Sequence, residues 1–164
     1  MSPQLKLRVS SLEGTRGVAA ALAGLSREGD VILLAGDLGS GKTSFAQGFG
    51  WALGVTEPIT SPTFTLVHSY DTGGTMLHHA DLYRLDQLSE VADLALGELA
   101  EDHGIVLVEW GDVAESMFGD HLVVRLETVD GDADARVIEL EPVGRSWAWR
   151  WDALQTTVAD WLKE

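Results

Sequence analysis

The sequence predicts an α/β fold with a mixed central sheet flanked by helices, and three observations carry that prediction. Apolar runs such as "VILLA" and "GIVLV" read as strands buried on both faces. They alternate along the chain with segments of helical period, the pattern of helices packed on a largely parallel sheet. No repeat, linker or low-complexity stretch interrupts residues 1–164, which read as one domain.

In chain order, "LKLRV" alternates and reads as an edge strand. Ser10 and Glu13 stand at capping-box spacing ahead of a helix with Val18, Leu22 and Leu25 on one face. "DVILLAG" is a buried strand, and "TSFAQGFGWALG" is a helix ending near Gly54. "TFTLVHSYD" and "TMLHHADLY" read as a hairpin around "DTGG". Residues from about Leu85 to Asp102 are helical in pattern, and "GIVLVEW" is another buried strand. "HLVVRLE" and "ARVIELE" form a second hairpin around "DGDAD". A last helix carries Leu154, Val158 and Trp161 at spacings of four and three.

Composition narrows the function classes. With 45% hydrophobic and 23% charged residues the chain is ordinarily globular, and its length allows a substantial core. It has no cysteine, which excludes disulfides and thiolate metal sites and fits a reducing compartment. The N-terminus "MSPQLKLRVSS" has no apolar core of a signal peptide, and no run approaches the roughly 18 residues of a membrane span. The cytosol is the expected location. Eleven basic residues against 26 acidic ones give a net charge of −15. Such a surface keeps the chain soluble and repels a nucleic-acid backbone, so any link to RNA is expected to run through another protein.

The stretch "GDLGSGKTSF" carries the chemistry. Gly36, Gly41, Lys42 and Thr43 satisfy G-x-x-x-x-G-K-[ST], with a buried strand before and a helix after, the context of a P-loop. Gly39 and Gly41 let the backbone curl so that N–H groups of the loop, from Asp37 and Leu38 through Ser40 to Ser44, point at phosphate oxygens. The helix that follows adds its positive dipole end. Lys42, expected to be exposed, places a point charge on the outer phosphates, and Thr43 offers a hydroxyl to Mg2+. A chance glycine-rich turn fits poorly, because motif and context agree and Lys42 is the one lysine in the chain interior. A magnesium site also needs an acid at a neighbouring strand end, and Asp81 and Glu109 both end apolar strands. Glu109 in that role departs from the usual aspartate.

The chain has no N-K-x-D element for guanine, which favours ATP. A small-molecule kinase is the natural rival to an ATPase, but Arg8, Arg16, Arg27, Arg84, Arg125, Arg136, Arg145 and Arg150 are scattered and do not cluster into a lid. A nucleotide-sensing scaffold without turnover is a third class. His78 and His79 lie beside Asp81, but neighbours on a strand point to opposite faces, so they do not form a metal cluster with it. Trp147, Trp149 and Trp151 alternate; on an extended segment they would line one face, and otherwise they pack a terminal helix onto the sheet. Trp110 is expected to pack beside Glu109.

"GDLGSGKTSFAQG", "SPTFTLVHSY", "HADLYRL" and "LVEWGD" occur in the order and spacing of the bacterial TsaE (YjeE) family, which the chain resembles over roughly residues 10–128. The resemblance implies a P-loop ATPase of tRNA threonylcarbamoyladenosine biosynthesis that binds ATP and Mg2+ and hydrolyses ATP slowly alone. It implies two partners, TsaB and TsaD, of which TsaD performs the transfer onto adenosine, so tRNA would be met only indirectly. By position it implies that Thr43 and Glu109 are Mg2+ ligands, that Lys42 is the phosphate lysine and that Asp81 acts in hydrolysis. Ser61, Pro62 and Thr63 match a switch-like loop near the γ-phosphate, and Thr15 matches a position near the adenine. Arg136 matches a residue over the base, although "GDADAR" departs from the family's usual arginine near the glycine.

Overall fold

The computed structural model describes residues 3–37, 39–60, 67–82, 96–109 and 118–162. Leu38, Ser61, Pro62, Thr63, Arg84, Trp110 and most of the helical stretch read from Leu85 onward lie outside these residues.

Seven strands form one mixed sheet: β1 (Leu5–Val9), β2 (Val31–Ala35), β3 (Val67–Asp71), β4 (Met76–Asp81), β5 (Gly104–Glu109), β6 (His121–Val129) and β7 (Asp132–Val143). Their order across the sheet is β1-β7-β6-β2-β5-β4-β3. The four central strands β6, β2, β5 and β4 are parallel, and antiparallel pairing continues the sheet to β7 and β1 on one side and to β3 on the other. The strands that read as continuous apolar runs, β2 and β5, are buried along their whole length at the centre. The alternating "LKLRV" takes the edge, with Leu5, Leu7 and Val9 inward.

Two helices, α1 (Leu12–Leu25) and α2 (Lys42–Leu53), pack together on one face over Leu34, Leu77, Ile105 and Leu107. The short α3 (Leu96–Glu101) covers Val31, Leu33, Ala80, Val106 and Val108 on the other. Helix α4 (Trp151–Thr157) joins the first of these cores through Trp151 and Leu154. No helix among the described residues is long and apolar enough to cross a membrane.

Three local expectations are corrected. The N-cap of α1 is Ser11, not Ser10: its extended backbone precedes the helix and its hydroxyl accepts from Gly14 N at 3.1 Å, leaving Glu13 in the first turn beside the positive dipole end. The β6–β7 turn is tighter than "DGDAD", because Asp130–Gly131 alone closes it, with Val129 opposite Asp132 and Gly131 at φ +80°. The C-terminal helix stops at Thr157 and continues as a 3-10 turn over Ala159–Trp161, which still buries Val158. Of the two readings of the tryptophans, packing of a terminal helix onto the sheet holds, and they do not share an extended face. They run through a turn and a 3-10 segment into α4, which buries Trp147 and Trp151 and leaves Trp149 62% exposed under the Arg27 guanidinium at 4.0 Å. Arg150 fixes this segment by a buried two-pronged pair with Asp30, at 2.7 and 2.9 Å, at the start of β2.

Candidate nucleotide site

The site lies where parallel strands end. Leu34, Glu109 and Asp81 stand side by side in register across β2, β5 and β4, so the two acids close the row next to the strand that feeds the glycine-rich loop. Side chains two apart on a strand share a face. His79 and Asp81 therefore point to the α1–α2 face, together with Glu109, while His78 points to the other. Open α/β sheets place ligands at this carboxyl edge.

Beyond Ala35 the chain enters the loop. Gly36 has φ +151°, and a Cβ there would lie 2.5 Å from Ser40 Oγ and 2.6 Å from the Leu126 carbonyl, so side-chain-free backbone is required. Gly39 and Gly41 also have positive φ, and Gly41 is the N-cap of α2 with no side chain satisfying the first-turn N–H groups. The loop thus leads into the positive end of a 12-residue helix, whose first-turn N–H groups have no partner within the helix itself.

Lys42 is not exposed as expected: it is only 5% accessible, and its ammonium donates to the carbonyls of Gly36 at 2.7 Å and Asp37 at 2.9 Å. The curl of the loop folds back over the side chain and gives the buried charge its partners. Ser40 is buried and Asp37 exposed, while Thr43 and Ser44 are half-buried in the first turn of α2. Thr15 is buried in the first turn of α1 beneath the loop; a Cβ on Gly41 would meet its methyl at 4.0 Å and the Arg136 guanidinium at 3.7 Å. Arg136 reaches from β7 to donate to Ser40 O at 2.8 Å and Gly39 O at 3.3 Å, and two further bonds to Ala133 and Ala135 carbonyls hold its plane. A cleft of about 460 Å³ opens beside the loop, between Ala35, Gly36, Asp37 and Ser40 and the β6 residues Arg125, Leu126, Glu127 and Thr128.

Asp81 and Glu109 are both buried, and the imidazole of His79 lies 2.7 Å from Glu109 Oε2. Sequence reading weighed His79 only as a metal ligand and missed this contact. The usable signal was its place two residues before Asp81 on one strand. His78, on the opposite face, bonds Ser69 Oγ through Nδ1 at 2.7 Å, and its burial lowers its pKa against the opposing influence of Asp102. The loop and acids fit a magnesium nucleotide: a backbone nest and lysine for phosphates, and hard oxygen donors for the metal. Among the described residues no three His, Asp or Glu side chains converge into an all-protein metal cage. Mg2+ at a nucleotide takes much of its coordination from phosphate oxygens and water.

Comparison with known proteins agrees with this architecture. The family model "Threonylcarbamoyl adenosine biosynthesis protein TsaE" matches residues 9–138. The chain is 39% identical over 144 residues to the tRNA threonylcarbamoyladenosine biosynthesis protein TsaE of Bacillus subtilis, covering 88% of this chain and 89% of that one. It is 40% identical over 141 residues to the protein of the same name from Nostoc, covering 84% and 85%. The crystal structure of Bacillus subtilis YdiB superposes with a TM-score of 0.79 at 32% identity, covering 95% of this chain and 97% of that one. The chain belongs to the TsaE family of threonylcarbamoyl adenosine biosynthesis proteins.

Proposed function

We propose that this chain is an ATP-binding, Mg2+-dependent accessory ATPase that supports threonylcarbamoyladenosine modification of tRNA together with TsaB- and TsaD-like proteins. The observation that carries the reading is the glycine-rich loop with its buried lysine at the N-terminus of α2, set beside the register pair of Asp81 and Glu109. The pathway follows from the names of the relatives, which describe proteins of tRNA threonylcarbamoyladenosine biosynthesis.

Each residue has a part in that reading. The N–H groups of the loop, with Gly39 and Gly41 allowing the curl, bind phosphate oxygens. Lys42 exchanges its carbonyl partners for the outer phosphates. Thr43 and Glu109 would hold the metal, which when bound would supply neutralisation of phosphate charge. Asp81 orients the attacking water and takes up its proton as the bond from the γ-phosphorus to the bridging oxygen breaks, releasing ADP and phosphate. Arg136 braces the loop through the Ser40 and Gly39 carbonyls. The acidic surface suits a subunit that meets tRNA through its partners.

Calorimetric titration with ATP, with and without Mg2+, tests the reading when combined with co-purification of the chain with a TsaB–TsaD pair. The expected result is Mg2+-enhanced ATP binding and a ternary assembly. ATP binding without that assembly, accompanied by transfer of phosphate to a small molecule, would favour a kinase instead.

A further inference from the structure

We propose that His79 is a positioning residue for Glu109, holding one side-chain oxygen by an Nε2–H donor so that the other is presented to the metal in a single orientation. The proposal rests on the reading of Glu109 as a Mg2+ ligand. His79 is wholly buried, and its Nε2 lies 2.7 Å from Glu109 Oε2. Its other nitrogen, Nδ1, is buried with no hydrogen-bond partner. An imidazole kept inside a core with one nitrogen orphaned is a poor packing residue. A leucine would fill the same face of β4 without the unpaired group, as Leu77 does two residues earlier. The gain that offsets the orphan is therefore sought at Nε2.

Glu109 supplies the reason. It is 3% exposed, so its side-chain oxygens are held by neighbouring groups, and a metal ligand has to present an oxygen in a fixed direction. A hydrogen bond donated to Oε2 fixes the rotamer, leaving Oε1 as the oxygen to face a cation. The register makes the contact possible: His79 pairs with Leu107 and Asp81 with Glu109, so the imidazole is a diagonal neighbour of the glutamate on the shared face.

The test compares His79→Ala, His79→Gln and Glu109→Ala, singly and with His79→Ala combined with Glu109→Ala. Fluorescent-ADP affinity in EDTA reports the nucleotide site alone. The Mn2+ electron paramagnetic resonance signal titrated with ADP-loaded protein reports the metal. Loss of an outer partner of a metal ligand lowers metal affinity about 10- to 100-fold. His79→Ala should therefore weaken Mn2+ by about tenfold with ADP affinity in EDTA unchanged, and Gln, which returns an N–H near the Nε2 position, should restore part of it. In the Glu109→Ala background His79→Ala should add no further loss. Unchanged Mn2+ affinity in His79→Ala, or an equal loss in both backgrounds, overturns the proposal. Unchanged Mn2+ affinity in Glu109→Ala overturns the ligand reading itself, and the proposal with it. Should His79→Ala fail to fold, imidazole nitrogen NMR of the wild-type chain decides: a proton on Nε2 supports the assignment, and a tautomer protonated only at Nδ1 refutes it.

Discussion

Lys42→Ala separates phosphate recognition from folding, and the structure sets the size of both effects. The wild-type ammonium is buried and donates to two loop carbonyls, Gly36 O at 2.7 Å and Asp37 O at 2.9 Å. A hydrogen bond to a charged group contributes about 1.5–3 kcal/mol. Gly36 is half-buried and Asp37 exposed, so water replaces part of each bond when the lysine is gone. About 1 kcal/mol per carbonyl, or about 2 kcal/mol in all, is the expected loss of stability. For a chain of this length that lowers Tm by about 4–8 °C. The second effect is the loss of ligand stabilisation. ATP with Mg2+ at 100 times Kd stabilises the wild type by about 2.7 kcal/mol, and the variant should show almost none of it. Differential scanning fluorimetry with and without Mg-ATP reads both. A variant Tm within about 1 °C of wild type would refute the buried, bonded lysine. A full ATP-induced shift in the variant would refute the phosphate role.

The two acids should separate in their effects: Asp81→Asn is expected to lower phosphate release about 10²- to 10⁴-fold with Mg-ATP affinity kept, while Glu109→Gln weakens Mg2+ dependence, and the reverse pattern in a metal titration would exchange their roles. Gly36→Ala drives a Cβ against Ser40 Oγ and the Leu126 carbonyl, so chemical denaturation should show a loss of about 1–3 kcal/mol together with weakened ATP binding; a neutral variant would mean that the loop does not hold this conformation. His78, whose pKa is lowered by burial, stays neutral in the folded chain at a pH where the unfolded chain takes up a proton. Its contribution is therefore fully present above about pH 6.5 and is lost as pH falls through the folded-state value. Urea denaturation at pH 7.5 and 5.5 should show a smaller acid-side loss in His78→Gln than in wild type, and equal losses would contradict the assignment.

What the sequence revealed depended on how local each feature is. β2 and its loop were legible because a continuous apolar run, two spaced glycines and a lysine lie within a dozen residues, and each constrains the backbone directly. The cap of α1 was misplaced by one residue because Ser10 and Ser11 are chemically equivalent, and only the backbone direction leaving β1 distinguishes them. The packing of the tryptophans was one of two readings open in the sequence, but the turn that carries them was not legible because it is fixed by Arg150 reaching Asp30, 120 residues away in the chain. Burial of Lys42 follows from the curl of the loop, which residue type does not report. The contact of His79 with Glu109 needs the parallel register of β4 on β5, which a single strand's pattern does not contain. The acids themselves were legible as strand ends, since each follows an apolar run that has to stop at the sheet edge.

Steady-state phosphate release at fixed salt tests the central claim most directly, measured for the chain alone, with tRNA, with the TsaB–TsaD pair, and with all components. An arginine or other polar group supplied by a partner accelerates such hydrolysis by about 10³- to 10⁵-fold in related systems. The account predicts slow release by the chain alone, no change with tRNA alone, and a clear change in rate when TsaB–TsaD is added. Rapid turnover by the isolated chain, indifferent to TsaB–TsaD, would contradict it.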